Sequence, residues 1–88
     1  MVARPYRGCS AFEQIVQYLV REAHEQQSEA VTVTQRDIGA SLALGRQTVS
    51  RVLGELEQLG LIARGRGQLR ILDRERLEAI SDPASSHS

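Results

Sequence analysis

A chain of 88 residues has room for one small domain and excludes a two-domain enzyme, because domains run to roughly 50–200 residues and a chain this short buries only about 60–65% of its unfolded surface. Its 41% hydrophobic and 25% charged residues exclude the disordered class, and its thin core favours binding over catalysis in a large substrate cavity. The formal charge of zero hides a division along the chain: three Arg against four Glu in residues 1–30, six Arg against Asp37, Glu55 and Glu57 in residues 31–72, and two Arg against four acids in residues 73–88.

Residues 1–9 hold Pro5 and Gly8 with little periodicity and read as a flexible arm. Ser10 and Glu13 form an S-x-x-E capping box. Phe12, Ile15, Val16, Leu19, Val20 and Ala23 follow at helical offsets, which predicts an amphipathic helix from Ser10 to Ala23 and a polar loop from His24 to Glu29. Val31-Thr32-Val33 is a short β-branched strand. Thr34 and Asp37 form a second capping box ahead of a short helix carrying Ile38 and Leu42, which stops near Ala43. From Arg46 to Leu59, Val49, Val52, Leu53, Leu56 and Leu59 share one side of a helix turning by about 100° per residue, and Gly60 takes the C′ position. Leu61-Ile62-Ala63 and Leu69-Arg70-Ile71-Leu72 are strand candidates joined by Arg64 to Gln68, with Arg64 and Arg66 flanking Gly65 at the hairpin tip. Asp73 caps a last helix through Ile80, and residues 81–88, rich in serine, read as a disordered tail. Helix, strand, helix, tight turn, helix, hairpin and short helix, spanning residues 10–80, make a mainly α fold with a small β-hairpin, a winged helix-turn-helix.

The chemistry falls in the second half of that helix pair. A helix-turn-helix needs a short connection and small or apolar residues where its helices touch. Gly39 supplies a close approach, Leu44 plugs the turn, and Ala43 stands where a left-handed residue is usually Gly, at a cost of about 1 kcal/mol. Opposite the apolar side, Arg46, Gln47, Ser50 and Arg51 share the solvent face. Arg46 and Arg51 lie about 7.5 Å apart along the axis, close enough to fork onto guanines in one major groove. Arg64 and Arg66 at the hairpin are candidates for clamping backbone phosphates. All eleven basic residues are Arg, a bias that codon usage alone can produce and that also suits guanine and phosphate recognition.

The motifs Thr34-Gln35-Arg36-Asp37-Ile38-Gly39, Gly45-Arg46-Gln47-Thr48-Val49-Ser50-Arg51-Val52-Leu53, Leu59-Gly60-Leu61-Ile62 and Ile71-Leu72-Asp73 resemble the C-terminal DNA-binding domain of the cyclic-AMP receptor protein and fumarate-nitrate reduction regulator family, and the preceding helix fits that domain's first helix. The resemblance covers residues 31–80. It implies a bacterial-type transcriptional regulator that binds double-stranded DNA, with Arg46 and Arg51 on guanines and Thr34 and Thr48 on phosphates. Gln47 stands where the family commonly has Glu, which exchanges a cytosine-accepting acid for an amide suited to adenine. Gly45 replaces the usual Ser and removes a side-chain cap. Family members carry an effector-binding β-roll and a long dimerisation helix ahead of this domain, whereas about nine residues precede the first helix here. No small-molecule effector is therefore expected in this chain, and a weak homodimer is expected mainly on DNA.

Other chemistry finds little support. No Gly-x-Ser-x-Gly elbow occurs, the Gly65-x-Gly67 pair precedes a strand rather than a helix, and neither His24 nor His87 is spaced for pairing with Cys9 or a carboxylate cluster. No enzyme activity, cofactor or metal is expected. No apolar run exceeds three residues, which excludes a membrane span or signal peptide and predicts a cytoplasmic protein. The competing function is a winged-helix protein-interaction module that uses the same fold without DNA.

Overall fold

The structure, a computed structural model of the chain, describes residues 10–81. The arm expected over residues 1–9 and the tail from residue 82 onward lie outside the described residues. The elements run α1 (Ala11–Gln26), β1 (Ala30–Thr32), α2 (Gln35–Leu42), α3 (Arg46–Gln58), β2 (Ile62–Gly65), β3 (Gln68–Ile71) and α4 (Arg74–Ser81). The three strands form one antiparallel sheet in the order β1-β3-β2.

Local chemistry sets each boundary. Both capping boxes form, with Ser10 Oγ accepting from the Glu13 N–H at 3.2 Å and Thr34 Oγ1 from the Asp37 N–H at 3.1 Å. Asp73 accepts from the Arg76 N–H at 3.2 Å and opens α4. At the end of α3, Gly60 takes φ 76° and donates to the Glu57 carbonyl, while Leu61 donates to the Leu56 carbonyl, the paired bonds of a Schellman motif. Leu56 and Leu61 are both fully buried and supply that motif's apolar contact.

The core gathers one stripe from each helix on the inner face of the sheet: Ile15, Val16 and Leu19 of α1, Ile38 of α2, Val49, Val52, Leu53 and Leu56 of α3, Leu77 of α4, and Val31, Ile62, Leu69 and Ile71 of the strands. Among the described residues no polar side chain is buried and none is left without a hydrogen-bond partner in the interior. Burial is therefore apolar throughout, as a small core needs if desolvation is not to offset the gain.

Several expected boundaries move. α1 runs three residues past Ala23, because His24, Glu25 and Gln26 continue the helix as exposed residues until Gln27 turns left-handed at φ 52°. Leu59, expected on the apolar side, is 47% exposed at the C-cap of α3, and Leu72, expected in a strand, is 54% exposed just past β3. β1 begins one residue early and joins the hairpin through Val31↔Leu69, a long-range pairing that makes a three-stranded sheet. The hairpin turn is shorter than the expected Arg64-to-Gln68 link: Gly65 pairs with Gln68, and Arg66-Gly67 alone close the turn, with Gly67 at φ 65°.

Side chains bond outward backbone donors on both outer strands. On β1, Ala30 N–H donates to Ser28 Oγ at 3.0 Å and Thr32 N–H donates to Gln26 Oε1 at 2.9 Å, while the Gln26 amide returns a bond to the Thr32 carbonyl at 3.4 Å. On β2, Arg64 N–H donates to Glu57 Oε2 at 3.3 Å. These three outward backbone donors are spoken for, which blunts the template that an open edge offers to another strand.

Candidate nucleic-acid interface

The short turn between α2 and α3 fixes how α3 leaves the surface. Ala43 adopts φ 58° and ψ 43°, and its N–H and that of Leu44 both donate to the Gly39 carbonyl, the latter at 2.9 Å. A Cβ on Gly39 would lie 2.9 Å from the Leu44 carbonyl oxygen and 3.8 Å from Val49, so only glycine lets the turn fold back this tightly. Ala43 meets the left-handed requirement expected at this point without a glycine. Ala43→Gly is accordingly expected to raise stability by about 0.5–1 kcal/mol, since relief of the left-handed Cβ clash exceeds the added freedom of the unfolded chain. A chemical-denaturation midpoint that stays put or falls would contradict this.

α3 then presents two unlike sides. Val49, Val52, Leu53 and Leu56 are fully buried, whereas Arg46, Gln47 and Arg51 are exposed and Thr48 and Ser50 are half-buried at the margin. The backbone enters α3 through Gly45 at φ −71° and ψ 157°, with no side-chain cap. Thr34 spends its acceptor on the Asp37 N–H and keeps a hydroxyl proton to donate outward. Thr34, Arg36 and Arg46 line one cleft of about 570 Å³ together with Gly39, Ala40 and Leu44. Arg36 is absent from the sequence's candidates because it lies within the capping motif of α2, and only the fold of the turn brings it beside Arg46.

The arginines differ in what already holds them. Arg36, Arg46 and Arg66 make no ion pair among the described residues. Arg51, 62% exposed, pairs with Glu55 one turn on at 3.2 Å, a surface contact of the kind contributing about 0.3–0.5 kcal/mol. Arg64 is committed elsewhere, its Nε and Nη2 each 3.0 Å from Glu57 Oε1. It is not at the hairpin tip. Antiparallel pairing sets it opposite Leu69, on the sheet face that also carries Ile62 and Ile71 and packs on the helices, so its guanidinium runs back to α3. Once the register places Ile62 inward, the period of two along the strand gives Arg64 the same direction. Hydrogen bonding from the Arg64 side chain, and then from its backbone, holds the Glu57 carboxyl below the ordinary glutamate range, so the pair is ionised at neutral pH.

No three His, Cys, Asp or Glu residues gather as metal ligands among the described residues, and no helix there is long and apolar enough to cross a membrane.

Two helices joined by a tight turn, the second presenting arginines to solvent, with a β-hairpin beside it, define a winged helix-turn-helix domain. Residues 13–80 match the Crp-like helix-turn-helix domain, and the chain belongs to that family. It is 33% identical over 61 residues to the transcriptional regulator SdrP of Thermus thermophilus, covering 68% of this chain and 30% of that protein. Among solved structures it is similar to TTHB099, a CRP-family transcriptional regulator also of Thermus thermophilus, at a TM-score of 0.72 and 29% identity over 88% of this chain and 45% of the other. It is also similar to FixK2 of Bradyrhizobium japonicum, at a TM-score of 0.70 and 26% identity over 83% of this chain and 39% of the other. The chain thus spans less than half the length of each of these relatives.

Proposed function

We propose that this domain binds double-stranded DNA with sequence specificity, as the DNA-reading part of a transcriptional regulator, by laying α3 in the major groove. The observation that carries the reading is the outer side of α3, where Arg46, Gln47 and Arg51 stand exposed around a fully buried apolar side. In this arrangement Arg46 and Arg51 fork onto guanines, Gln47 and Ser50 face neighbouring base edges, and Thr34 and Thr48 meet phosphates beside the groove. Arg36 joins them from the cleft it shares with Arg46. Arg66 at the hairpin tip takes the wing's phosphate, whereas Arg64, bound to Glu57, is withdrawn from that role. The family relatives support the reading, being transcriptional regulators.

A single module of this kind buries roughly 600–1,000 Å² on DNA, so two copies on half-sites about 34–36 Å apart supply operator specificity. With the Ala30, Thr32 and Arg64 N–H groups already bonded, strand addition is disfavoured as a route by which they pair, and the isolated chain is expected to be monomeric at micromolar concentration.

Fluorescence anisotropy on a random-sequence duplex across a salt series tests the reading. The association constant should fall steeply with salt, and Arg66→Ala should make the log–log slope shallower by about one unit, the signature of one lost phosphate contact. A flat, undetectable signal at low salt would instead leave the fold as a protein-docking module.

A further inference from the structure

Glu57 is an acid on the last turn of a helix that, on the reading above, lies against a polyanion. Its carboxylate takes two hydrogen bonds and an ion-pair contact from a single residue of the wing: Arg64 Nε at 3.0 Å on Oε1, the Arg64 backbone N–H at 3.3 Å on Oε2, and Nη2 3.0 Å from Oε1. Gripping backbone and side chain of one residue fixes both the position of β2 and the direction of its guanidinium. Arg64 lies two residues from Arg66, and the turn between Gly65 and Gln68 has only two residues. Little slack therefore separates the grip from the tip.

We propose that Glu57 is a positioning residue for DNA binding: through Arg64 it straps the wing to α3 at the angle that lets Arg66 meet a phosphate while α3 occupies the groove. The inference rests on the reading of α3 and the wing as one DNA surface. Arg64 is then part of the strap and not a DNA contact. The half-exposed pair, 34% for each side chain, is the connection between two contacts that would otherwise bind independently. Opposite signs of effect set this apart from simple charge repulsion. Removing a negative charge beside DNA strengthens binding by electrostatics alone, whereas loosening the wing weakens it.

The experiment is a coupling cycle on random duplex DNA, using the full chain as Glu57→Ala, Arg64→Ala and Arg66→Ala and the two doubles that include Arg66→Ala. Loss of one phosphate contact corresponds to about an eightfold weaker association constant at 0.1 M salt, the effect expected of Arg66→Ala alone. Glu57→Ala should also bind more weakly than the parent, and in either the Glu57→Ala or the Arg64→Ala background Arg66→Ala should cost less than twofold. Glu57→Gln, which keeps an acceptor oxygen, should recover most of the Arg66 effect. Tighter binding by Glu57→Ala, or a full eightfold Arg66 effect in its background, would overturn the proposal. Amide hydrogen exchange on the free protein adds an arm that needs no DNA: the Arg64 N–H should exchange faster in Glu57→Ala with the core amides unchanged, and an unaltered Arg64 amide would overturn the strap. If the parent chain fails to bind DNA, the functional reading falls while the exchange result still decides whether the strap exists.

Discussion

Leu53→Ala is expected to destabilise the domain by about 2–5 kcal/mol, the range for a buried leucine truncated where neighbours cannot collapse into the gap. Leu53 is fully buried on α3, the helix that packs on α1, α2 and β2 at once, so no single element can shift to fill the space without disturbing two others. A chain of 88 residues has a total stability of roughly 4–13 kcal/mol. The loss is therefore a large share of the whole, and the thermal midpoint should fall by roughly 10–30 °C. Leu59→Ala is the control. At 47% exposure on the C-cap of the same helix, its truncation should change stability by no more than about 0.5 kcal/mol. Equal midpoints for the two variants would show that the core is not organised around α3.

The second large effect is on binding. Arg46→Ala and Arg51→Ala should each weaken association with the preferred site by about 1–3 kcal/mol, roughly 5- to 150-fold, and with random duplex by much less, because a forked guanine contact discriminates between bases and a phosphate contact does not. The two arginines are not equivalent. Arg46 has no ion partner among the described residues, whereas Arg51 starts paired to Glu55 at 3.2 Å, so any gain of Arg51 from DNA is reduced by the contact it exchanges. Arg46→Ala is accordingly expected to be the more damaging. Losses of the same size on preferred and random DNA would place both side chains on phosphates.

What could be read from the residues follows the range of the interactions involved. The α3 stripe from Val49 to Leu56, both capping boxes and the left-handed turn at Ala43 depend on neighbours within four or five positions, and the structure has them where the spacing puts them, with Leu59 alone falling off the stripe at the helix end. The last turn of α1 escapes the apolar period because His24, Glu25 and Gln26 are exposed and carry no stripe, although nothing in them opposes a helix. β1 and the hairpin depend on pairing across the chain, such as Val31 with Leu69, and register between distant segments is not set by either segment alone. The same limit governs the interface. Arg46, Gln47 and Arg51 follow from a helical wheel, while Arg36 reaches the site through the fold of the turn and Arg64 leaves the wing tip through strand register. An arginine beside a glycine resembles a phosphate clamp until the pleat turns it toward Glu57.

Selection of bound sequences from a random duplex pool, run in parallel on the parent chain and on Arg46→Ala and Arg51→Ala, tests most directly the claim that the outer side of α3 reads bases. An enriched motif is expected for the parent, with guanine preference lost at one position in each variant and the flanking preferences kept. An identical motif from all three proteins, or no enrichment from the parent, would contradict it.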